Sequence, residues 1–448
     1  MKKNLLLLED NAERIAAFRA AVSALGEDWV LKVWYDAPTM LAECEDCLEH
    51  AALITLDHDL NPQPGVTADP GTGLEVAKFL AGHLPPCPII IHSSNTDRAW
   101  SMHNEFRFAG WPVDRVGPIG DDWIPKFWLP KARAMLAEHK SENIFRKPAD
   151  HTERLHRTFI SLEGLAIGDA VGEMLACRNA EAPRIIQAGL PAGPWFHTDD
   201  TEMALSIVDI LKLYGHINQA ALARRFAWRF ERDPDRGYGK MTRIQMTEIL
   251  AGADWRQTAT SAFSGQGSMG NGGAMRVPPL GAYFADDLDR LVAEARVSSL
   301  VTHTHPEGVA GTIAVAVAAA VAWQVRSASP EHRVRRLFDE VLRLTPESQV
   351  RRGITLAAQT PSTVPVDAVA KALGNGSLVT APDTVPFALW CAAQHLDDYV
   401  AALSCAISGD GDCDTNAAIV GGIVAMVTGL EGIPPDWRAA KEKLPFSC

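Results

Sequence analysis

The 448-residue sequence has few long apolar runs, and a helix needs ~20 apolar residues to cross a bilayer. Its longest runs of small apolar residues, 309–323 and 417–430, are shorter and rich in alanine and glycine. They predict buried helices whose backbones approach their neighbours closely. At the N-terminus only four leucines precede the first acids, too few for the apolar region of a signal peptide. We therefore expect a cytoplasmic protein that makes no membrane contact.

Positive charge is also in short supply. The 42 basic residues are outnumbered by 55 acidic ones, which gives a formal net charge of −13. This excess disfavours bulk electrostatic attraction to nucleic acid or to anionic membranes. The eight cysteines are scattered, and Cys44 and Cys47 form a C-x-x-C pair without the second pair or the histidine spacing of a zinc site. Reduced thiols and an accidental pair on a helix surface are the simpler interpretation.

A change of pattern along the chain predicts two domains, which the chain length also favours. Residues 1–137 alternate short β-rich runs with helical segments, and this predicts an α/β domain with a doubly wound parallel sheet. Residues 138–153 are polar, charged and interrupted by Pro148, so we interpret them as a linker. Residues 154–448 show helical spacing without convincing strands, which predicts an all-α domain.

Polar side chains follow three predicted strands of the first domain. They are Glu9 and Asp10, then Asp57, His58 and Asp59, then His92 and Ser93. Because the carboxyl ends of parallel strands gather at one edge of the sheet, we expect these groups to converge. Carboxylates there could hold one divalent metal against a phosphodiester while a histidine transfers a proton. The alternative is that the histidines are turn residues that stabilise strand ends.

This arrangement resembles a response-regulator receiver domain over about the first 130 residues. In that resemblance Glu9 and Asp10 replace the metal-binding acidic pair, Asp57 the phospho-accepting aspartate, and Ser93 the switch hydroxyl. Receivers carry Lys-Pro after the last strand, whereas this sequence has a Gly-Pro pair at 117–118, which argues against ordinary phosphorelay signalling. The motifs LDHDL and IIIHSSN are more similar to the receiver-derived group proposed to process cyclic phosphates. A retained regulatory receiver is the main alternative.

Two turns of the second domain each combine hydroxyl and carboxylate side chains just before a helix. Their oxygen-bearing residues are Thr198, Asp199 and Asp200 in HTDDTE, and Asp412, Asp414 and Thr415 in GDGDCDT. Either turn alone is explained as a helix cap, because a side-chain oxygen can accept the free N–H groups of a first helical turn. Two such clusters favour a metal site, because carboxylate and hydroxyl oxygens suit Mg²⁺ or Mn²⁺ better than zinc.

Three further stretches contribute to the pattern. Residues 163–174, EGLAIGDAVGEM, form a predicted helix with small residues on one face. Residues 264–279, SGQGSMGNGGAMRVPP, are a glycine-rich loop whose backbone N–H groups could approach phosphates closely. Residues 301–308, VTHTHPEG, bring two histidines to a predicted helix start. Taken alone, the loop is merely flexible and the histidines are polar residues at a helix start.

Taken together and in this order, the five motifs closely resemble the ADP-ribosylglycohydrolase family, typified by the dinitrogenase reductase-activating glycohydrolase, over about residues 155–430. The resemblance implies an all-α domain in which the two acidic turns hold two Mg²⁺ or Mn²⁺ ions. The substrate-binding residues that it implies are Asp169, Gly267, Ser268, Gly270, Asn271, Gly272, His303 and His305. The catalytic residues that it implies are Glu173, Asp200 and Asp412.

Glu173 is assigned only as a substitute. Family members commonly place a glutamate seven residues after the aspartate that corresponds to Asp169, and this sequence has Ala176 there. We expect hydrolysis at the anomeric carbon of the distal ribose of an ADP-ribosylated protein or an ADP-ribose-containing small molecule. The fusion of the two domains also fits the metabolism of ADP-ribose 1″,2″-cyclic phosphate. The alternative that Ala176 favours is a non-hydrolytic ADP-ribose sensor regulated through the receiver-like domain.

Overall fold

The computed structural model describes residues 3–48, 51–82, 87–109, 111–142 and 147–445. The chain divides into two compact units, Met1–Arg146 and Lys147–Cys448. Residues 143–146 of the predicted linker 138–153 lie outside the described residues. A helix covers the chain before this gap as far as Glu142, and the next helix begins at His151.

The first unit is an α/β domain with a parallel sheet. Its described strands are β1 (Lys3–Leu8), β2 (Trp29–Trp34), β3 (Ala51–Leu56), β4 (Ile89–Ile91) and β5 (Val113–Arg115). Its described helices are α1 (Ala12–Ser23), α2 (Ala37–Glu43), α3 (Glu45–Leu48), α4 (Gly73–Ala81), α5 (Thr96–Phe108), a π-helical turn (Ile124–Trp128) and α6 (Leu129–Glu142). The strand order is β2-β1-β3-β4-β5, and neighbouring strands pair in parallel. The predicted doubly wound sheet is confirmed.

The central strands consist of apolar residues that are buried on both faces of the sheet. The last four residues of β1 are leucines with no exposed surface, and the three isoleucines of β4 are equally buried. Such continuous apolar strands are typical of parallel sheets covered by helices. In the register of the sheet, Leu8 pairs with Leu56, and Leu56 pairs with Ile91. The polar residues that follow these three strands therefore start from one edge of the sheet.

The second unit contains helices and isolated bridges, but no strand among its described residues. Its α-helices are α7 (His151–Leu175), α8 (Ala182–Ala188), α9 (Asp199–Tyr214), α10 (Gln219–Arg232), α11 (Lys240–Leu250), α12 (Trp255–Gly265), α13 (Gly272–Met275), α14 (Pro278–Tyr283), α15 (Leu288–Ser299), α16 (Pro306–Val325), α17 (Pro330–Leu344), α18 (Gln349–Gln359), α19 (Val366–Leu373), α20 (Ala381–Gln394), α21 (Tyr399–Ser408), α22 (Cys413–Thr428) and α23 (Pro435–Ala440). Short 3₁₀ helices span Ala176–Glu181 and Leu430–Gly432. The all-α prediction is confirmed.

Helices α7 and α22 approach each other through small residues. Gly168 and Gly172 lie four residues apart on one face of α7. A Cβ added to Gly168 would lie 2.1 Å from the carbonyl oxygen of Ala417, and one added to Gly172 would lie 2.5 Å from that of Cys413. Because only glycine permits so close an approach of two backbones, α7 packs directly on α22. This contact brings Asp169 near the start of α22.

Helix α16 lies in the core of the second unit. By length and composition its 20 residues are apolar enough to cross a membrane. However, 89% of its most apolar 18-residue segment is buried inside the protein. A helix that is apolar on all sides is typical of the centre of a large helical domain. The predicted burial of residues 309–323 is therefore confirmed.

Candidate functional site

The first acidic turn of the second unit lies at the start of α9 and is held by Asp169. The Asp169 carboxylate accepts hydrogen bonds from the backbone N–H groups of Thr198 and Thr201, both at 3.0 Å. It also accepts hydrogen bonds from their hydroxyls, at 2.9 and 2.5 Å. Burial raises the pKa of Asp169 to about 6. The Asp169 side chain thus fixes the turn, while its part in substrate binding stays a prediction.

Asp200 links the two acidic turns. The second turn lies at the start of α22, where Asp412 is the N-cap and Asp414 and Thr415 are in the first helical turn. Asp200 Oδ2 lies within hydrogen-bond distance of both turns, 3.2 Å from Thr198 Oγ1 and 3.4 Å from Thr415 Oγ1. The other oxygen of this carboxylate, Oδ1, is buried without a hydrogen-bond partner. A buried charged oxygen without a partner is costly, and a bound cation would satisfy it.

The acids of the two turns repel one another. Burial raises the pKa of Asp199 and of Asp200 well above the ordinary value, and the charges of Asp169 and Asp414 raise both further. Burial and the charge of Asp414 raise the pKa of Asp412 to about 8. Cations placed among such carboxylates would remove this repulsion. The four carboxylates and two hydroxyls are hard oxygen ligands, so the residues fit Mg²⁺ or Mn²⁺.

The ligand oxygens of this site are spread out. Among the described residues, no three His, Cys, Asp or Glu side chains of the second unit bring ligand atoms within 4.8 Å of one another. In two-metal sites the ions lie about 3.5–4 Å apart, so their ligands extend over a wider region than those of a single ion. The number of ions that this site holds stays a prediction.

The glycine-rich loop lies against the second acidic turn. Asn271 Nδ2 donates a hydrogen bond of 2.6 Å to Asp412 Oδ2. The Ser268 hydroxyl accepts the backbone N–H of Gly270 at 3.1 Å, which shapes the loop. Gly267 adopts a left-handed φ of 76°, which favours glycine at that position. The structure thus places this predicted phosphate-binding loop beside the predicted metal ligands.

The two predicted histidines occupy different positions. His303 is buried beneath the loop, where a Cβ added to Gly272 would lie 2.7 Å from its ring. Burial and the charge of Arg276 lower the pKa of His303 to about 3, so the ring is neutral at pH 7. His305 is the N-cap of α16, and its Nδ1 accepts the backbone N–H of Glu307 at 3.1 Å. The geometry of His305 is therefore that of a helix cap, and contact of either ring with substrate stays a prediction.

In the first unit, three of the predicted residues converge after the strands of the sheet. Glu9, Asp57 and His92 are buried and place their ligand atoms within 4.8 Å of one another. His92 Nε2 lies 3.2 Å from Glu9 Oε2. Burial raises the pKa of Asp57. Burial also acts to raise the pKa of Glu9, but the hydrogen bond and charge of His92 outweigh it and lower that pKa overall.

Hydrogen bonds behind His92 decide which ring nitrogen carries a proton. Thr55 Oγ1 donates its one proton to the carbonyl oxygen of Ile90 at 3.0 Å and accepts Trp128 Nε1–H at 3.1 Å. His92 Nδ1 lies 2.8 Å from the same hydroxyl, and with the Thr55 proton directed to Ile90 the ring donates from Nδ1. This leaves the Nε2 lone pair facing Glu9, so a proton or a metal ion belongs between them. A histidine whose other N–H is fixed in this way is typical of metal ligands.

The other predicted residues of the first unit have separate partners. Asp10 Oδ2 accepts hydrogen bonds from the backbone N–H and the side-chain Nδ2 of Asn61, at 2.8 and 2.9 Å. His58 Nδ1 lies 2.7 Å from Oδ1 of the exposed Asp59. Ser93 Oγ accepts a backbone N–H from two residues later in the chain. The structure thus does not bring Asp10, His58, Asp59 or Ser93 into the compact group.

Comparison with protein-family models gives a match to each unit. The model described as ADP-ribosylglycohydrolase matches residues 150–445, which is more than half of the chain. The chain belongs to the ADP-ribosylglycohydrolase family. The model described as cyclic-phosphate processing receiver domain matches residues 5–108. Both resemblances predicted from the sequence are confirmed.

Curated relatives of this ADP-ribosylglycohydrolase family member include hydrolases from animals and bacteria. Human ADP-ribosylhydrolase ARH3 is 28% identical over 322 residues, which cover 63% of this chain and 88% of the relative. Its counterpart from Xenopus tropicalis is 30% identical over 276 residues, 55% of this chain and 77% of the relative. ADP-ribosylarginine hydrolase Tri1 of Pseudomonas putida is 27% identical over 298 residues, 64% of this chain and 74% of the relative. These matches support a hydrolase activity.

Glu173 lies at the edge of the ADP-ribosylglycohydrolase site. It follows Asp169 by one turn of α7, and its side chain is exposed. Partial burial and the charge of Asp414 raise the pKa of Glu173, so its carboxylate is within electrostatic reach of the second acidic turn. Ala176 begins the 3₁₀ helix after α7 and offers no carboxylate. The catalytic role of Glu173 stays a prediction.

A loop that the sequence did not single out, residues 374–380, adjoins the site. The carbonyl oxygen of Asn375 accepts the backbone N–H of Asp412 at 3.1 Å. At the other end of the loop an isolated antiparallel bridge pairs Thr380 with Gly270 of the glycine-rich loop. The loop therefore connects the phosphate-binding loop to the second acidic turn. Its Gly-Asn-Gly-Ser stretch is a turn signal that could have indicated it.

A charged network behind the first acidic turn was also missed. His197 lies between two glutamates, with Nε2 3.0 Å from Glu202 Oε1 and Nδ1 2.5 Å from Glu442 Oε1. Arg229 in turn contacts Glu202 at 2.9 Å and Asp209 at 3.0 Å. The network fixes His197 and thereby the turn that starts at the next residue. Glu442 is far from the turn in sequence, so no local spacing indicates it.

Strained backbone surrounds the same site. Among the described residues, four that are not glycine adopt a left-handed φ: Phe263, Ser264, Val379 and Asp410. Phe263 precedes the glycine-rich loop and Ser264 is its first residue, Val379 lies in the 374–380 loop, and Asp410 lies in the GDGDCDT turn. Such conformations cost about 1–3 kcal/mol each and cluster at ligand-binding sites. The strain marks these segments as parts of the site that sequence periodicity does not show.

Proposed function

We propose that the second unit is a metal-dependent hydrolase that cleaves the glycosidic bond at the distal ribose of an ADP-ribosylated protein or small molecule. The observation that carries this proposal is Asp200, whose Oδ2 lies within hydrogen-bond distance of both acidic turns while its Oδ1 is buried without a partner. Membership of the ADP-ribosylglycohydrolase family and the names of the relatives support it. The residues that would hold two Mg²⁺ or Mn²⁺ ions are Thr198, Asp199, Asp200, Asp412, Asp414 and Thr415.

The bound cations would supply Lewis acidity that orients ribose hydroxyls and lowers the pKa of a bound water. The carboxylates of Asp200 and Asp412 stabilise the positive charge that develops on the ribose as the glycosidic bond breaks. Asn271 keeps the Asp412 carboxylate in position through its 2.6 Å hydrogen bond. Glu173, with its raised pKa, accepts the proton of the attacking water, and this proton is then delivered to the leaving group as the glycosidic bond breaks.

Binding of the diphosphate is assigned to the glycine-rich loop. Backbone N–H groups can approach phosphate oxygens closely where no side chain intervenes, as at Gly267, Gly270 and Gly272. The neutral ring of His303 packs against the loop at Gly270 and Gly272 and adds no charge there. These local donors offset the negative charge of the acidic turns, so an anionic substrate can bind next to them.

The test is a time course of ADP-ribose release from arginine- and serine-ADP-ribosylated peptides with Mg²⁺. We expect release by the wild-type protein, loss of release with EDTA, and loss in the Asp200→Asn variant together with lost metal binding. Asp339→Asn is the matched control, because Asp339 is 65% exposed and lies on α17. Full release by Asp200→Asn with its metal content unchanged would refute the assignment.

A non-hydrolytic ADP-ribose sensor is the second candidate. The observation that favours it is Ala176, which stands where family members commonly carry a glutamate. A sensor would bind ADP-ribose in the presence of Mg²⁺ and release no product from either peptide. In both cases we place the protein in the cytoplasm.

For the first unit we propose hydrolysis of a cyclic phosphate such as ADP-ribose 1″,2″-cyclic phosphate, with one divalent ion held by Glu9, Asp57 and His92. The compact geometry of these three residues and the match to the cyclic-phosphate processing receiver model support this assignment. Water adds to phosphorus, one of the two ribose P–O bonds breaks, and His58 protonates the ribose oxygen that leaves. In ³¹P spectra the cyclic resonance should be replaced by that of a phosphomonoester, and an unchanged spectrum would contradict the proposal.

A further inference from the structure

The site of the first unit contains a cationic side chain that none of the motifs includes. Arg14 Nη1 lies 3.1 Å from Asp57 Oδ2 and 3.7 Å from Glu9 Oε2. Arg14 is in the first turn of α1, and its backbone N–H is fixed by the N-cap Asn11. Its side chain is 34% exposed, whereas those of Glu9 and Asp57 are 0% and 5% exposed. The guanidinium therefore reaches from the surface to two buried carboxylates.

This position makes Arg14 a competitor of any metal ion bound at the same carboxylates. A divalent ion held by Glu9, Asp57 and His92 would neutralise both negative charges that attract the guanidinium. The ion would also repel the guanidinium directly, because like charges a few ångströms apart in a partly buried site interact strongly. A long side chain that is one-third exposed can turn outward in response. Metal binding would therefore release the guanidinium from these carboxylates and leave it beside the metal.

The charges of the site indicate what the released guanidinium binds. Two carboxylates and one divalent ion sum to zero, so the metal-loaded group of Glu9, Asp57 and His92 carries no net charge. Arg14 then gives the site one positive charge, which matches the single negative charge of a phosphodiester. A guanidinium also presents paired N–H donors whose geometry fits two phosphate oxygens.

We propose that Arg14 is the phosphate-binding residue of the first unit: it pairs with Asp57 and Glu9 in the metal-free protein and binds the phosphodiester once a metal ion has taken these carboxylates. This inference rests on the proposed cyclic-phosphate function. It predicts that loss of Arg14 has opposite effects on the two ligands. Metal should bind more tightly without its competitor, whereas the phosphodiester should bind more weakly. A purely structural role would weaken both.

The experiment compares Arg14→Gln, Arg14→Lys and the control Arg19→Gln in the full chain. Arg19 is an exposed residue of the same helix, so the control removes the same charge. All chains carry Asp200→Asn and Asp414→Asn, which remove proposed metal ligands of the second unit. The Mn²⁺ affinity measured by electron paramagnetic resonance is then that of the first unit. Turnover of ADP-ribose 1″,2″-cyclic phosphate is followed by ³¹P spectra, and circular dichroism checks folding.

We expect Arg14→Gln to raise the KM for the cyclic phosphate about 10- to 100-fold, the size of a lost charge-assisted hydrogen bond. The Mn²⁺ dissociation constant should fall, Arg14→Lys should recover part of the KM, and Arg19→Gln should match the parent. Equal weakening of both ligands, or no change in either, would overturn the role of Arg14 while leaving the cyclic-phosphate function intact. A parent chain that binds no Mn²⁺ and leaves the compound unchanged would overturn both.

Discussion

The two units build their candidate metal sites from different donors. In the first unit, two carboxylates and a histidine nitrogen place their ligand atoms within 4.8 Å of one another. In the second unit, carboxylate and hydroxyl oxygens come from two turns that Asp200 links. Imidazole nitrogen mixed with carboxylates admits several transition metals, whereas a set of hard oxygens suits Mg²⁺ or Mn²⁺. The type and spacing of the donors distinguish the sites more clearly than the number of acids does.

The units also differ in how they balance their negative charge. In the first unit, His92 and Arg14 contact the carboxylates directly, and the pKa of Glu9 is lowered. In the second unit the carboxylates of the two turns repel one another. Burial and the charge of Asp414 raise the pKa of Asp412 to about 8. We therefore expect the second unit to depend on metal for its stability more than the first.

The largest expected effect is the loss of one activity without loss of the other in variants of single metal ligands. Asp414→Asn removes a ligand of the second unit and should reduce ADP-ribose release about 100- to 1,000-fold, as loss of a group that stabilises the transition state does. His92→Gln should leave that release unchanged and instead abolish opening of the cyclic phosphate. Each variant is assayed with both substrates. Equal loss of both activities in either variant would show that the sites do not act separately.

A smaller effect is expected at Thr55, which does not contact the metal position. Thr55→Val removes the hydroxyl that orients His92, and loss of such a partner typically weakens metal binding about 10- to 100-fold. Thr55→Ser keeps the hydroxyl and is the matched control. The measurement is Mn²⁺ affinity of the first unit in chains that carry Asp200→Asn and Asp414→Asn. Wild-type affinity in Thr55→Val would contradict the assigned proton position on His92.

The smallest expected effect is a pH dependence of stability in EDTA. The folded protein keeps Asp412 protonated up to about pH 8, whereas the unfolded chain ionises it near 3.8. Between these values the folded state binds more protons, so its stability falls as the pH rises. We expect the Tm of the second unit to decrease from pH 4 to pH 8 in EDTA and Mg²⁺ to reduce that slope. A slope that Asp412→Asn leaves unchanged would assign the effect to other groups.

The fold and the two acidic turns could be predicted because local patterns encode them. The buried leucines of β1, the small residues of α7 and the turns HTDDTE and GDGDCDT are all continuous in sequence. The roles of individual residues depend on tertiary contacts instead. Trp128 donates to Thr55, which contacts His92, and Glu442 contacts His197, although no local spacing connects these residues.

The first unit shows the same limit at single residues. Glu9 and Asp10 are adjacent in the sequence after β1, but their side chains have different partners. Glu9 lies beside His92, whereas Asp10 accepts hydrogen bonds from Asn61. Arg14 was overlooked because a charged residue in the first turn of an amphipathic helix is ordinarily a solvent-exposed one. Its contact with Asp57, 43 residues later in the chain, is a tertiary contact that periodicity does not specify.

The most direct test of the account is a mass-spectrometric time course of the full chain with Mg²⁺. It offers arginine- and serine-ADP-ribosylated peptides and ADP-ribose 1″,2″-cyclic phosphate side by side. We predict free ADP-ribose from at least one peptide and a separate opening of the cyclic phosphate, both abolished by EDTA. If every substrate survives while ADP-ribose still binds, the hydrolase assignment is contradicted and the protein is a sensor.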